Sequence, residues 1–227
     1  MLFDALGTLV RLEPPWPILQ SVVRARHGIE LSEAHARDAM LAEMTYYREH
    51  HREGRDPESL AGLRQRCASV LADRLPEIRV LGDAERVELL LSSIRFTPYP
   101  DAAPALGRVR TLGLPTAVVS NWDCSLRGVL ADLGLAGLLD AVVVSAEVGS
   151  AKPDPGIFEA ALQTLGCLPQ TALFVGDSLD TDVAGARNAG LRAVLLDRAG
   201  AVEPPAGVER IFSLETLDEL LVPAPTR

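Results

Sequence analysis

The chain has 227 residues, 48% of them hydrophobic and 23% charged, with a formal net charge of −9. That is enough material for one large core, or for a core with a smaller second unit, and the acidic balance makes nucleic acid and anionic membranes poor partners. No apolar run approaches the ~18 residues of a membrane span, and Cys67, Cys124 and Cys167 lack the spacing of a disulfide framework or a zinc site, so a soluble cytoplasmic protein is expected.

Residues 2–10 read LFDALGTLV, a hydrophobic strand running into Asp4, with Gly7 and Thr8 just beyond. At the end of a buried parallel strand Asp4 would stand where open α/β sheets bind ligands. On the blander reading it caps a turn. Only three residues precede Asp4, whereas strands usually run ~5–6, so the natural start is expected upstream of Met1. Residues 13–17 (EPPWP) read as a linker. Four helices are then predicted. The first carries Ile18, Val22 and Val23 and ends near Gly28. The second is capped by Ser32, carries Ala36, Met40, Met44 and Tyr47, and stops at Gly54. The third starts at Asp56–Pro57 with Leu60, Leu63, Cys67, Val70 and Leu71 on one face, and the fourth is capped by Asp83 with Val87, Leu90, Leu91 and Ile94. Residues 96–104 (FTPYPDAAP) read as a second linker.

After Asp101 the pattern changes. Strands are predicted at 116–120 (TAVVS), 141–145 (AVVVS), 172–175 (ALFV), 193–196 (AVLL) and 209–212 (ERIF), mostly separated by helical stretches. Short β-branched runs alternating with helices predict a parallel sheet covered on both faces. The expected fold is α/β: a Rossmann-like core of residues 1–12 and 101–227, with an all-helical insertion over 13–100.

Candidate chemistry clusters at the strand ends. Ser120 and Asn121, followed by Trp122 and Asp123, can hold a phosphate oxygen while Asp123 caps the next helix; a plain turn is the alternative. Lys152 is the only lysine among 22 basic residues, and it precedes a helix with Asp154 as N-cap and Pro155 in the first turn. Elsewhere a positive charge is arginine, so Lys152 marks either chance or a place that needs a compact, three-donor ammonium. GDSLDTD (176–182) puts Asp177 at a strand end with Asp180 and Asp182 beyond. Clustered carboxylates repel one another unless a hard cation such as Mg²⁺ joins them; the alternative is a solvated acidic helix start. His50 and His51 read as basic residues near a helix end. Trp16 and Trp122 read as packing residues, with Trp122 the better placed to line a pocket.

With DALGT at Asp4, SN at Ser120, KP at Lys152, GDSLDTD at Asp177 to Asp182 and GARNAG at 185–190, the chain resembles the haloacid dehalogenase superfamily of aspartate-nucleophile hydrolases. The resemblance implies a Rossmann-like core, a mobile helical cap, Mg²⁺, and hydrolysis of a small phosphorylated substrate; a monomer or homodimer is expected. It implies Asp4 as nucleophile, oriented by Lys152, and a phosphate held by Thr8, Ser120 and Asn121. It places Mg²⁺ on Asp4, Asp177 and the Leu6 carbonyl, with Asp182, and after it Asp180, holding metal-bound water.

One position departs from the family pattern. Its phosphatases carry a second Asp two residues after the nucleophile as general acid and base, and here that residue is Leu6. Such catalysis is worth ~10²–10⁴-fold. Three readings stay open. The first is a Mg²⁺-dependent phosphohydrolase favouring leaving groups of low pKa, or using a substitute acid from the cap or the substrate. The second is a non-catalytic binding or regulatory protein on the same fold. The third is a 2-haloacid dehalogenase, an enzyme that also has a non-acidic residue at the position of Leu6 but needs no metal and lacks the acid matching Asp177.

Overall fold

The computed structural model describes residues 1–217 and Leu220. The chain divides into two compact units, residues 12–97 and the remainder on either side of them. Strand β1 (Leu2–Phe3) opens the first unit and β2 (Val10–Leu12) follows it.

Helices α1 (Pro15–His27), α2 (Glu33–His50), α3 (Pro57–Arg74) and α4 (Asp83–Ser93) make up the second unit. Residues 13–17 are not a linker throughout. Pro15, Trp16 and Pro17 form the first turn of α1, where proline loses no hydrogen bond and its fixed φ suits the helix. The side chains of Ser32 and Asp56 cap α2 and α3, accepting from the N–H groups of His35 and Ser59. For α4 the cap is Gly82, whose N–H donates to Glu85 at 2.9 Å, and Asp83 lies inside the first turn. The buried stripe of α4 is Leu89, Leu90 and Ser93, whereas Leu91 is exposed. Residues 96–104 are likewise structured: β3 (Phe96–Pro98) pairs with β2 in a two-stranded sheet, and α5 (Ala102–Thr111) begins just beyond.

In the first unit β4 (Ala117–Ser120), α6 (Leu126–Asp132), β5 (Ala141–Val144), α7 (Ser145–Val148) and α8 (Pro155–Leu165) follow α5. Then come β6 (Leu173–Gly176), α9 (Ala184–Asn188), β7 (Arg192–Leu196) and β8 (Glu209–Ile211). Ser145, expected to end a strand, instead starts α7. Six strands form one sheet in the order β5-β4-β1-β6-β7-β8, and each described pairing is parallel. The expected α/β fold with a parallel sheet is therefore present. Strand β1 is short but central, with Leu2 paired to Ala117 on one side and Phe174 on the other.

The apolar runs of β1, β4, β6 and β7 are buried. That of β5 is half-buried at Ala141 and Val142, and Phe212, expected in the last strand, lies beyond β8 and is exposed. Phe174 of β6 meets Phe158 of α8 edge to face at 5.1 Å, which locks one helix layer to the sheet. Because the strands run the same way, the residues after β1, β4, β6 and β7 emerge at one edge, the ligand-binding edge of open α/β sheets. Among the described residues no helix is long and apolar enough to cross a membrane. Replacing Phe158 by Ala is expected to cost the sheet unit about 3–5 kcal/mol, read from urea unfolding; a loss below about 1 kcal/mol would show that this ring does not anchor α8.

Candidate functional site

Asp4 directly follows β1, and its N–H donates to the Val175 carbonyl at 2.9 Å, carrying the strand pairing one step further. The chain then folds tightly. The N–H groups of Thr8, Leu9 and Val10 all converge on the Ala5 carbonyl, at 3.3, 2.9 and 2.9 Å. Gly7 sits at φ +90°, and a Cβ there would lie 2.1 Å from an Asp177 carboxylate oxygen. Glycine alone supplies both the backbone conformation and the close approach. Gly176 makes the same kind of room for Asp182, because a Cβ there would lie 2.5 Å from that residue's carboxyl carbon.

Lys152 is fixed through its backbone. The Lys152 N–H donates to Asn121 Oδ1 at 2.7 Å, and Asn121 Nδ2 donates to the Lys152 carbonyl at 2.9 Å. Asn121, expected on a phosphate, thus ties the loop after β4 to the loop before α8. The Lys152 ammonium donates to Asp4 Oδ1. It also lies 2.6 Å from Asp182 Oδ1, a close ion pair. Ser120 Oγ donates to the same Asp4 oxygen at 3.1 Å. The side chains of Lys152, Asp4 and Asp182 are 3%, 8% and 2% exposed, so these charges meet with little water to screen them.

Asp4, Asp177 and Asp182 can each turn one oxygen to a common point, with those oxygens all within 4.8 Å of one another. Burial pushes Asp4 up to about 7, with Asp182 and Asp177 adding to the effect and Lys152 opposing it. Asp177 is raised to about 6, chiefly by the protein packed against it and then by Asp182, although its side chain keeps a face to solvent. For Lys152 burial disfavours the charge, but Asp4 and Asp182 outweigh it and hold the ammonium above the ordinary lysine value. Three acids around one ammonium leave negative charge uncompensated.

One buried atom here, Thr8 Oγ1, has no hydrogen bond from the protein. An unpaired buried hydroxyl is uncommon and points to an ion, a ligand or water. The donor set, all oxygen and rich in carboxylate, fits a hard divalent cation.

The other expected residues are placed as follows. Asp180 is exposed and stands outside the cluster. The Leu6 side chain is 42% exposed and puts an apolar group where an acid was expected from the family pattern. Trp122 is buried, with its backbone bonded to Ser145. Asp123 accepts from Ser125 N–H at 2.7 Å in the turn ahead of α6, so it shapes the approach while Ser125 is the N-cap. His50 and His51, in the second unit, bond through their rings to the carbonyls of Tyr46 and Arg48 near the end of α2. Arg198, just after β7, is drawn to the Asp4 loop by contacts to the Gly7 and Thr8 carbonyls. Its only sequence signal was a charged residue directly after a buried strand.

Known proteins share both the sequence and the shape. A family model described as haloacid dehalogenase-like hydrolase matches residues 1–190. A phosphoserine phosphatase of Thermus thermophilus is 43% identical over 112 residues, 49% of this chain and 45% of that protein. The chain thus matches about half the length of such curated relatives. The crystal structure of a phosphatase of the same family from Thermococcus onnurineus superposes with TM-score 0.68 at 28% identity, covering 97% of this chain and 96% of the other. A 2-haloacid dehalogenase from Pseudomonas syringae superposes with TM-score 0.69 at 23% identity, covering 97% and 96%. At that identity the likeness concerns the fold alone.

The raised carboxyls set a pH dependence. Metal binding needs the ionised forms, so protons compete with the cation as pH falls through about 7 and then about 6. Affinity for a divalent cation, measured by calorimetry, is expected to drop at least about tenfold from about pH 7.5 to about pH 5.5. The metal-free protein behaves oppositely: carboxyls with raised folded pKa bind more protons when folded, so stability falls as pH rises from about 4 to about 7. A cation affinity that is flat across this window would contradict the assignment.

Proposed function

The chain belongs to the haloacid dehalogenase-like hydrolases, and from that premise we propose that it is a Mg²⁺-dependent phosphohydrolase acting on a small phosphorylated metabolite. The reading rests above all on the group Asp4, Asp177 and Asp182 gathered beside one buried lysine. Names of relatives, a phosphoserine phosphatase among them, point the same way. The helical unit over residues 12–97 takes the part of the cap that selects substrate and limits water.

Asp4 attacks phosphorus through a carboxylate oxygen, the bond from phosphorus to the leaving oxygen breaks, and an aspartyl-phosphate forms on Asp4. Water then attacks phosphorus, releasing inorganic phosphate and restoring the carboxylate. Lys152 holds Asp4 in place and offsets the approach of two anions. Thr8 Oγ1, buried with no protein partner, and Ser120 donate to the transferring oxygens. Asn121 acts by holding Lys152. Asp4, Asp177, Asp182 and the Leu6 carbonyl would hold Mg²⁺, which when bound neutralises charge between the carboxylate and the phosphoryl group.

Leu6 sets the substrate range. It can neither protonate a leaving alkoxide nor take a proton from water. The first step therefore favours leaving groups that depart as stable anions, such as acyl or aryl oxides. The second step is slow, so the aspartyl-phosphate outlasts its formation.

Acetyl phosphate and p-nitrophenyl phosphate are expected to turn over with Mg²⁺ and to be inert with Asp4→Asn. Leu6→Asp should extend activity to alkyl phosphates, by about 10²-fold or more. A mutant at Asp4 as active as the wild type removes it from the mechanism. Binding of phosphate and metal with no turnover points instead to a regulatory protein, and metal-free chloride release from 2-chloropropionate to a dehalogenase.

A further inference from the structure

Arg198 has no hydrogen bond to Asp4, Asp177 or Asp182, although its charge opposes the rise at Asp177, and nearly every donor on its guanidinium is engaged inside the first unit. Nη1 and Nη2 donate to the two oxygens of Asp101, each at 2.9 Å. Nη2 also reaches the Thr8 carbonyl at 2.8 Å, and Nε the Gly7 carbonyl at 3.4 Å. The guanidinium lies 3.7 Å from the centre of the Tyr99 ring, and the Tyr99 N–H donates to the Leu9 carbonyl at 2.9 Å. Asp101 is buried and is itself anchored, accepting from Ser213 Oγ at 2.9 Å and from Leu214 N–H at 3.0 Å.

These contacts complete the turn after Asp4. The N–H groups of Thr8, Leu9 and Val10 bond to the Ala5 carbonyl and that of Gly7 to the Val10 carbonyl, while the carbonyls of Gly7, Thr8 and Leu9 are held by Arg198 and Tyr99. This turn carries Asp4, the Leu6 carbonyl and the Thr8 hydroxyl. A planar fork can grip a carboxylate with two parallel bonds and still reach a carbonyl, whereas a lysine ammonium is a point charge without that geometry.

We propose that Arg198, fixed by Asp101 and stacked on Tyr99, is a positioning residue that clamps the Gly7–Leu9 turn and so sets the geometry of the Asp4 site. Its effect on turnover rests on the phosphohydrolase reading above; its effect on the turn does not.

Two variants test it. Arg198→Lys keeps the charge and loses the fork. The double variant Arg198→Ala with Asp101→Asn removes both charges, which avoids stranding a buried carboxylate. Two quantities are read: hydrogen exchange in the metal-free protein, and kcat and KM for acetyl phosphate with Mg²⁺. In both variants the amides of residues 8–10 are expected to exchange about tenfold faster, with the rest of the sheet unchanged, and kcat to fall about tenfold or more while KM stays within about twofold, as for misplaced reacting groups. Wild-type exchange and kcat in both variants would overturn the proposal. So would exchange that rises evenly across the sheet, which marks a merely structural residue. If the wild type turns over nothing, the phosphohydrolase reading fails, and the exchange pattern alone decides the clamp.

Discussion

The Lys152 ammonium is buried between two buried carboxylates, and the surrounding loops are arranged to permit this. A lone charge in such a place would be costly; a matched pair could be purely structural. Here neither holds, because Asp177 joins Asp4 and Asp182 and one ammonium faces three acids. Burial, reinforced by the charges of Asp182 and Asp177, pushes Asp4 up to about 7 against the pull of Lys152, and clustered, perturbed groups of this kind are more typical of a working site than of a scaffold. The loops follow from it. Gly7 and Gly176 leave space for two of the acids, and Asn121 fixes the lysine from its backbone.

Some of this was legible in the residues. Runs such as AVVVS and ALFV are short, β-branched and bounded by turns, so the parallel sheet follows from composition and spacing. Lys152 announces itself by being the only lysine, and the acids of 176–182 by their density. Other features carry no local sign. The prolines at 15, 17 and 104 read as breaks, yet Pro15 and Pro17 lie in the first turn of α1 and Pro104 in that of α5, because proline serves equally to break a chain and to open a helix. The bonds of Asn121 join residues distant in sequence, so spacing is silent about them. Arg198 is one arginine among many, and only the return of β7 to the same sheet edge distinguishes it.

The fold does not choose the chemistry. Phosphatase and dehalogenase structures superpose on this chain about equally well, as expected where function resides in the site. The choice comes from side chains. Asp177 favours a cation, and a cation favours a phosphoryl group over a carbon–halogen bond, since its charge is needed where two anions meet. On the proposed function Leu6 then narrows the range, because protonation of the leaving group has to be unnecessary or supplied from elsewhere.

On the proposed function Asp4 becomes phosphorylated, and the missing base at Leu6 makes that state persist long enough to see. The direct measurement is an acid quench during turnover of acetyl phosphate with Mg²⁺, followed by peptide mass spectrometry. A phosphoryl group is expected on the peptide containing Asp4, absent without the metal and absent in Asp4→Asn. Turnover with that peptide unmodified, or with the phosphoryl group on another residue, would contradict it.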